Sequence, residues 1–302
     1  MAIVLQESLR GLFYAPFYVA LAHDAYGKEG VEVRFVSAPE PGKAGTAIMS
    51  GDADVSWGGP MRVMQTYHND PTCDLVSFAE VVTRDPFLLV GRGPRPGFAV
   101  GNLTGVRLGS VSEVPTPWMC LQEDLRRAGV APDAVSRVPD RTMAENCAAL
   151  LAGDLDVVQV FEPFVSTLLA ERGCHVWYAQ ADRGPTSYTT FYARRAALTA
   201  RRDELTRMVR AIYKTQRWVA DASPAAIAEG VRSFFPAVAP TILEAACGRY
   251  KSLGIWGKDP ILPRAGYDRL RESLVSGGFV NPGASFEVAV DNGIAQEVLA
   301  AA

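Results

Sequence analysis

The sequence predicts an α/β protein of two lobes joined by a hinge, with a helical C-terminal third. Three observations carry that prediction. Apolar strand-like runs alternate with helical stretches up to about residue 195 and stop there. The phrase MSGDADVSWGGP at 49–60 is written again, nearly unchanged, as LAGDLDVVQVFEP at 151–163. The chain, at 302 residues, is also long enough for two domains.

Strands are predicted at 2–6, 31–36, 53–57, 75–81, 87–91, 106–110, 155–160 and 175–179. Between them lie helical stretches at 16–26, 43–50, 60–68, 117–128, 142–152 and 163–172. Apolar strands separated by helices point to parallel sheets covered on both faces. After residue 195 the texture changes. RDELTRMVRAIYKTQRWVAD sets Leu205, Met208, Val209, Ile212, Tyr213 and Gln216 on one helical face. Further helices are predicted at 223–234, 240–252, 264–276 and 285–299, with no sheet of their own.

Two short extended stretches, TRDPF at 83–87 and SYTTFYARR at 187–195, read as crossings between lobes. One lobe is then residues 87–189, and the other combines residues 1–86 with 190–302. Two crossings make a hinge, and a hinge makes a cleft. In the doubled phrase, Gly51 and Gly153 fit the residue that ends a helix, and the aspartates after them fit the turn into the next strand. These aspartates read as scaffold. The endings differ: SWGGP offers an aromatic and bare backbone, while QVFEP offers a carboxylate.

Four corners share a pattern: Phe13-Tyr14-Ala15-Pro16, Trp57-Gly58-Gly59-Pro60, Pro115-Thr116-Pro117-Trp118 and Phe161-Glu162-Pro163. Each proline is placed at the first position of a helix, where its fixed φ suits and its missing N–H is not needed. Thr116 and Glu162 then fall at cap positions. Such corners lie at the carboxyl ends of parallel strands, where open α/β sheets bind ligands. Glu162 follows an apolar strand, so its carboxylate needs a partner. That partner is either a ligand N–H or a protein Arg, with capping of its own helix as a further role. Arg84 and Asp85 either line the cleft or pair across the hinge.

The net charge is −3, and no long basic stripe occurs, which argues against nucleic acid. No run of roughly 18 apolar residues spans a membrane. The first residues lack the pattern of an export signal. Five scattered cysteines without a CxxC pair, and three separated histidines, give no zinc spacing. Neither a metal nor a cofactor is expected. The motifs G-x-S-x-G, H-E-x-x-H and G-x-G-x-x-G are missing, and Lys43 in PGKAGT does not complete a phosphate loop. His68 reads as a helix-end residue and His175 as structural.

LFYAPFYVALAHDAYGKEGVEVRFV, SGDADVSWGGP, TRDPFLLVGR, AGDLDVVQVFEP and the MVRAIYKTQRWV helix, in this order, resemble the substrate-binding components of ABC importers for nitrate, sulfonates, taurine and thiamine-pyrimidine precursors. The resemblance runs through nearly the whole chain. It implies a type II periplasmic-binding-protein fold, a monomer that closes on a small-molecule ligand and delivers it to an ABC permease. It implies ligand contacts from Phe13, Tyr14, Trp57, Gly58, Gly59, Ser110, Ser112, Glu162 and Tyr188. Glu162 resembles the carboxylate that meets an amino group in the pyrimidine-precursor binders, which favours such a ligand. A sulfonate or nitrate would instead want arginine, for which Arg10 and Arg84 are candidates. The family also contains a thiamine-pyrimidine synthase, but its lysine–histidine pair is not matched by Met61-Arg62-Val63-Met64, and its cysteine cluster is missing. A periplasmic binding protein is therefore the expectation. The alternatives are a cytoplasmic enzyme on the same scaffold, acting in pyrimidine-precursor synthesis or like a decarboxylase, and a cytoplasmic ligand sensor.

Overall fold

A computed structural model describes residues 2–171 and 173–302. Ten strands are described: β1 (Ile3–Glu7), β2 (Val33–Ser37), β3 (Val55–Gly58), β4 (Leu75–Val82), β5 (Leu88–Arg92), β6 (Arg107–Val111), β7 (Ser136–Arg141), β8 (Val157–Val160), β9 (Cys174–Ala179) and β10 (Thr189–Arg194). They form two five-stranded sheets, ordered β2-β1-β3-β10-β4 and β7-β6-β8-β5-β9.

The two sheets have the same plan. In each, three consecutive strands pair in parallel in the order second, first, third, and an antiparallel strand from elsewhere in the chain takes the fourth place. In the first sheet that strand is β10, reached after the second sheet is complete. In the second it is β5, laid down before the parallel trio begins. The expectation of parallel sheets is corrected to mixed ones. The stretch 189–194, read from the sequence as part of a crossing, is a buried strand between β3 and β4. β7 was not read as a strand at all. Its Pro139 argues against one, yet β7 stands at the sheet's edge, where a missing N–H is tolerated.

The helices are α1 (Ala15–Ala22), α2 (Ala25–Lys28), α3 (Ala44–Ser50), α4 (Met61–Asn69), α5 (Thr116–Arg127), α6 (Met143–Ala152) and α7 (Phe164–Ala170). After β10 come α8 (Arg195–Ala200), α9 (Arg202–Asp221), α10 (Pro224–Val231), α11 (Pro240–Ser252), α12 (Arg264–Ser276), α13 (Phe286–Ala289) and α14 (Gly293–Ala300). The helix predicted over 285–299 is thus two, parted by Val290-Asp291-Asn292. Val290 bridges to Ser77, and Asp291 N–H donates to the Ser77 carbonyl at 2.9 Å. Gly257 N–H likewise donates to the Val81 carbonyl, and Glu80 N–H to that of Pro260. The C-terminal third therefore covers the outer edge of β4, whose unpaired backbone groups would otherwise need another partner.

The doubled phrase occupies equivalent places. Gly51 after α3 and Gly153 after α6 hold φ of 84° and 90°, the left-handed conformation that glycine adopts without strain. Asp54 Oδ2 accepts from Val4 N–H, and Asp156 Oδ2 from Arg107 N–H, each at 2.8 Å. Each aspartate thus fastens the third parallel strand of its sheet to the start of the first.

Candidate functional site

The four corners begin helices one residue away from where the sequence placed them. Pro16 and Pro117 take the second helical position, because Ala15 and Thr116 are the first. Pro60 and Pro163 stand just before α4 and α7. Thr116 makes no capping bond. Glu162 does: its carboxylate accepts from Ser166 N–H at 2.8 Å and Ser166 Oγ at 2.9 Å.

Between the sheets lies a small cavity, with about 30 Å³ open to a water-sized sphere. Ser8 and Leu9 reach it from the end of β1, Gly59, Met61 and Arg62 from the end of β3, Val114 and Thr116 from beyond β6, and Phe161 from the end of β8. Phe13, Tyr14, Phe87 and Tyr188 complete the lining. The carboxyl ends of parallel strands in both sheets thus converge on one space.

Four rings close a circuit around it. Phe13 meets Phe161 edge-on at 5.2 Å, and Phe161 meets Phe87 at 5.2 Å. Phe87 lies 6.4 Å from Tyr188, and Tyr188 meets Phe13 edge-on at 6.2 Å. These spacings suit edge-to-face aromatic packing.

The charge in this apolar lining is Arg62. Its residue is 7% exposed, and its Nη1 donates to Gln65 Oε1 at 3.2 Å. Among the described residues no carboxylate pairs with it. Burial pulls its pKa below the ordinary arginine value, opposed by Tyr192 and Tyr14. Beside it, Tyr14 Oη and Ser8 Oγ share a hydrogen bond of 3.2 Å, and burial pushes the Tyr14 phenol well up. The lining contains no His, Cys, Lys, Asp or Glu.

Of the residues proposed from the sequence, Phe13, Tyr14, Gly59 and Tyr188 line this cavity. Gly59 is constrained there, since an added Cβ would stand 3.3 Å from the Tyr188 carbonyl oxygen. Trp57 does not line it. The indole is fully buried and stacks on Phe17 at 4.7 Å and Phe35 at 5.3 Å. Gly58 lies within β3. Ser110 Oγ accepts from Arg137 Nε at 2.6 Å, and Ser112 is exposed. Glu162 is fully buried and committed to the protein, because Arg249 Nε donates to its Oε1 at 2.8 Å. Burial raises its pKa, and the bonds from Ser166 and Arg249 oppose that.

The other basic candidates are also engaged. Arg10 forks onto Glu7, with Nε to Oε1 at 3.0 Å and Nη2 to Oε1 at 2.6 Å. Arg84 Nη1 donates to the Ala181 carbonyl, and Asp85 pairs with Arg183, so both tie the 83–87 stretch to the turn after β9. His68 ends α4, where its Nδ1 accepts from Asn281 N–H, and His175 is exposed. Sequence reading passed over Arg62. Its signal was position: it stands in the first turn of the helix that follows a strand-end Gly-Gly-Pro.

Two sheets of one plan, with a cavity at the carboxyl ends of their parallel strands, define the type II periplasmic-binding-protein fold. The chain belongs to the NMT1/THI5-like family, whose pattern matches residues 13–226. It is 24% identical over 299 residues to YtlA of Bacillus subtilis (strain 168), a match covering 98% of this chain and 89% of that protein. Among solved structures, it resembles the periplasmic aliphatic sulphonate binding protein SsuA from Escherichia coli, with a TM-score of 0.77 and 13% identity over 95% of this chain and 96% of that one. It also resembles the desulfurization enzyme DSZB, with a TM-score of 0.71 and 15% identity over 99% of both chains. Binder and enzyme share this fold, so function must be argued from the cavity. Among the described residues, no cluster of three or more His, Cys, Asp or Glu could hold a metal, and no helix is long and apolar enough to cross a membrane.

Proposed function

We propose that this protein binds a small organic anion, with its acidic head on Arg62 and its apolar body against the ring circuit of Phe13, Phe87, Phe161 and Tyr188. The observation that carries the reading is Arg62 itself. A guanidinium 7% exposed and without a carboxylate partner is costly unless an anion completes it. A planar fork of donors suits a sulfonate or carboxylate. The alternative of a pyrimidine-precursor amine rested on a free Glu162, and that carboxylate is held by Arg249 and Ser166. The two units, residues 1–86 with 190–302 and residues 87–189, would each supply part of the contacts, so that closure completes the site. The likeness to SsuA supports a periplasmic role with delivery to an ABC permease. An acid–base enzyme is disfavoured because the lining offers no carboxylate, histidine or thiol for proton transfer or attack.

Calorimetry with benzenesulfonate, benzoate, nitrate and an aminopyrimidine tests this. The organic anions should bind best, and Arg62→Gln should weaken them by at least about 30-fold. Binding of the aminopyrimidine alone, or anion affinity unchanged in Arg62→Gln, would overturn the reading.

A further inference from the structure

A second space lies outside the cavity, between α5 and the edge strand β7. This groove has about 570 Å³ open to a water-sized sphere and shares no lining residue with the cavity. Trp118, Gln122 and Arg126 line it from α5, Arg137 from β7, and Asp133 from the turn before β7.

Arg137 gives the groove its chemistry. Its guanidinium carbon stands 4.3 Å from the centroid of the Trp118 ring, and its Nε donates to Ser110 Oγ at 2.6 Å. The indole holds the plane of the fork, and the bond to Ser110 holds its rotation. Neither Nη atom has a hydrogen-bond partner among the described residues, and no carboxylate there forms an ion pair with the group. Asp140, exposed on the same strand, acts on it through charge alone. Arg126 is already held, by Ser276 Oγ at 3.1 Å, Gln122 Oε1 at 3.2 Å and Glu123 at 3.9 Å. It adds positive charge, whereas Arg137 offers free donors. Two guanidiniums thus line the groove against one lining carboxylate, Asp133. That balance draws anions in.

From this we infer that the groove is a second anion site, which takes the carboxylate or phosphate group of a small solute on the two Nη atoms of Arg137. Two coplanar donors match two oxygens of such a group. Ser110 and Trp118 are then positioning residues, which aim the arginine without touching the solute. The site is independent of the anion reading of the cavity, because the two rest on different residues.

Calorimetry with inorganic phosphate and with succinate, at an ionic strength held constant with chloride, tests this on wild type and on Arg62→Gln. In Arg62→Gln, which lacks the cavity's cation, one of the two anions should still bind saturably. In NMR spectra of both proteins the same anion should move the Nε–H resonance of Arg137. Adding Arg137→Lys keeps a cation over Trp118 but loses the fork, and should weaken that anion at least about tenfold. Unchanged affinity in Arg137→Lys would overturn the proposal. So would an Arg137 resonance that stays in place at saturation, or no saturable binding of either anion. Binding that disappears in Arg62→Gln would assign the anion to the cavity, sinking the groove site while leaving the cavity reading intact.

Discussion

Glu80 shows how burial sets the behaviour of a single residue. It lies in β4 at 1% exposure, one carboxylate oxygen has no partner, and among the described residues no cation acts on it. Burial pushes its pKa from 4.5 to about 8, with Ser187 opposing and Asp259 adding to the rise. The unfolded chain would release this proton near the ordinary value, whereas the folded protein keeps it to about 8. Stability should therefore fall as pH climbs between those values and level off above them. Glu80→Gln should flatten that slope, worth up to ~5 kcal/mol, as read by urea unfolding at several pH values. An unchanged slope would mean that the carboxyl ionises freely in the fold. Arg62 and Glu162 form a second contrast at this scale. Both are buried charges at strand-end corners, but only Glu162 was singled out in the sequence. Only tertiary contact separates them, because the Arg249 that satisfies Glu162 is 87 positions further along the chain.

At the scale of elements, the sequence was most legible where chemistry is local. The helix–glycine–aspartate–strand unit was read correctly twice, since a left-handed glycine and a turn act within a few residues. The bonds by which Asp54 and Asp156 fasten Val4 and Arg107 are long-range and were not read. Gly51→Ala isolates the glycine's contribution. A Cβ there meets nothing within 4 Å, so the cost is the left-handed backbone alone, about 1–2 kcal/mol. Gly153→Ala should cost at least as much, because its Cβ would stand 2.9 Å from Arg92 Nη1. Chemical denaturation of both variants checks this ranking. Local signals failed for β7, where proline masks an edge strand, and for β10. The Thr189-Thr190-Phe191-Tyr192 run has strand chemistry, but its partners β3 and β4 lie more than a hundred residues earlier in the chain.

At the scale of the whole molecule, helices of the C-terminal third hold the second sheet's unit on two sides. α11 packs on α7, where Arg249 reaches Glu162 and the Tyr250 hydroxyl accepts from Glu162 N–H at 2.8 Å. α12 packs on α5, joined by Arg127–Glu272 at 2.7 Å and Ser276–Glu123 at 2.7 Å. Both α5 and α7 start at corners that line the cavity, so these ties bear on closure. Breaking the buried tie with Arg249→Met leaves Glu162 unpaired. That costs about 3–5 kcal/mol for a wholly buried pair, and less here because the Arg249 side chain is 28% exposed. The ligand-free variant should show a larger radius of gyration by X-ray scattering and weaker binding of every ligand by one common factor. An unchanged radius would confine this tie to local packing.

By itself, the sequence determined the α/β class, the sheet-forming repeat, the helical C-terminal third and the corners on which a site could stand. Each follows from residues close together in the chain, through periodicity, caps and turns. Tertiary structure decided which corner side chains face the cavity and which are consumed by the protein. It turned Trp57 into core and Glu162 into a cap and ion pair, and it left Arg62 without a carboxylate partner among the described residues. The reason is that a buried polar group is defined by its partners, and those partners come from distant parts of the chain.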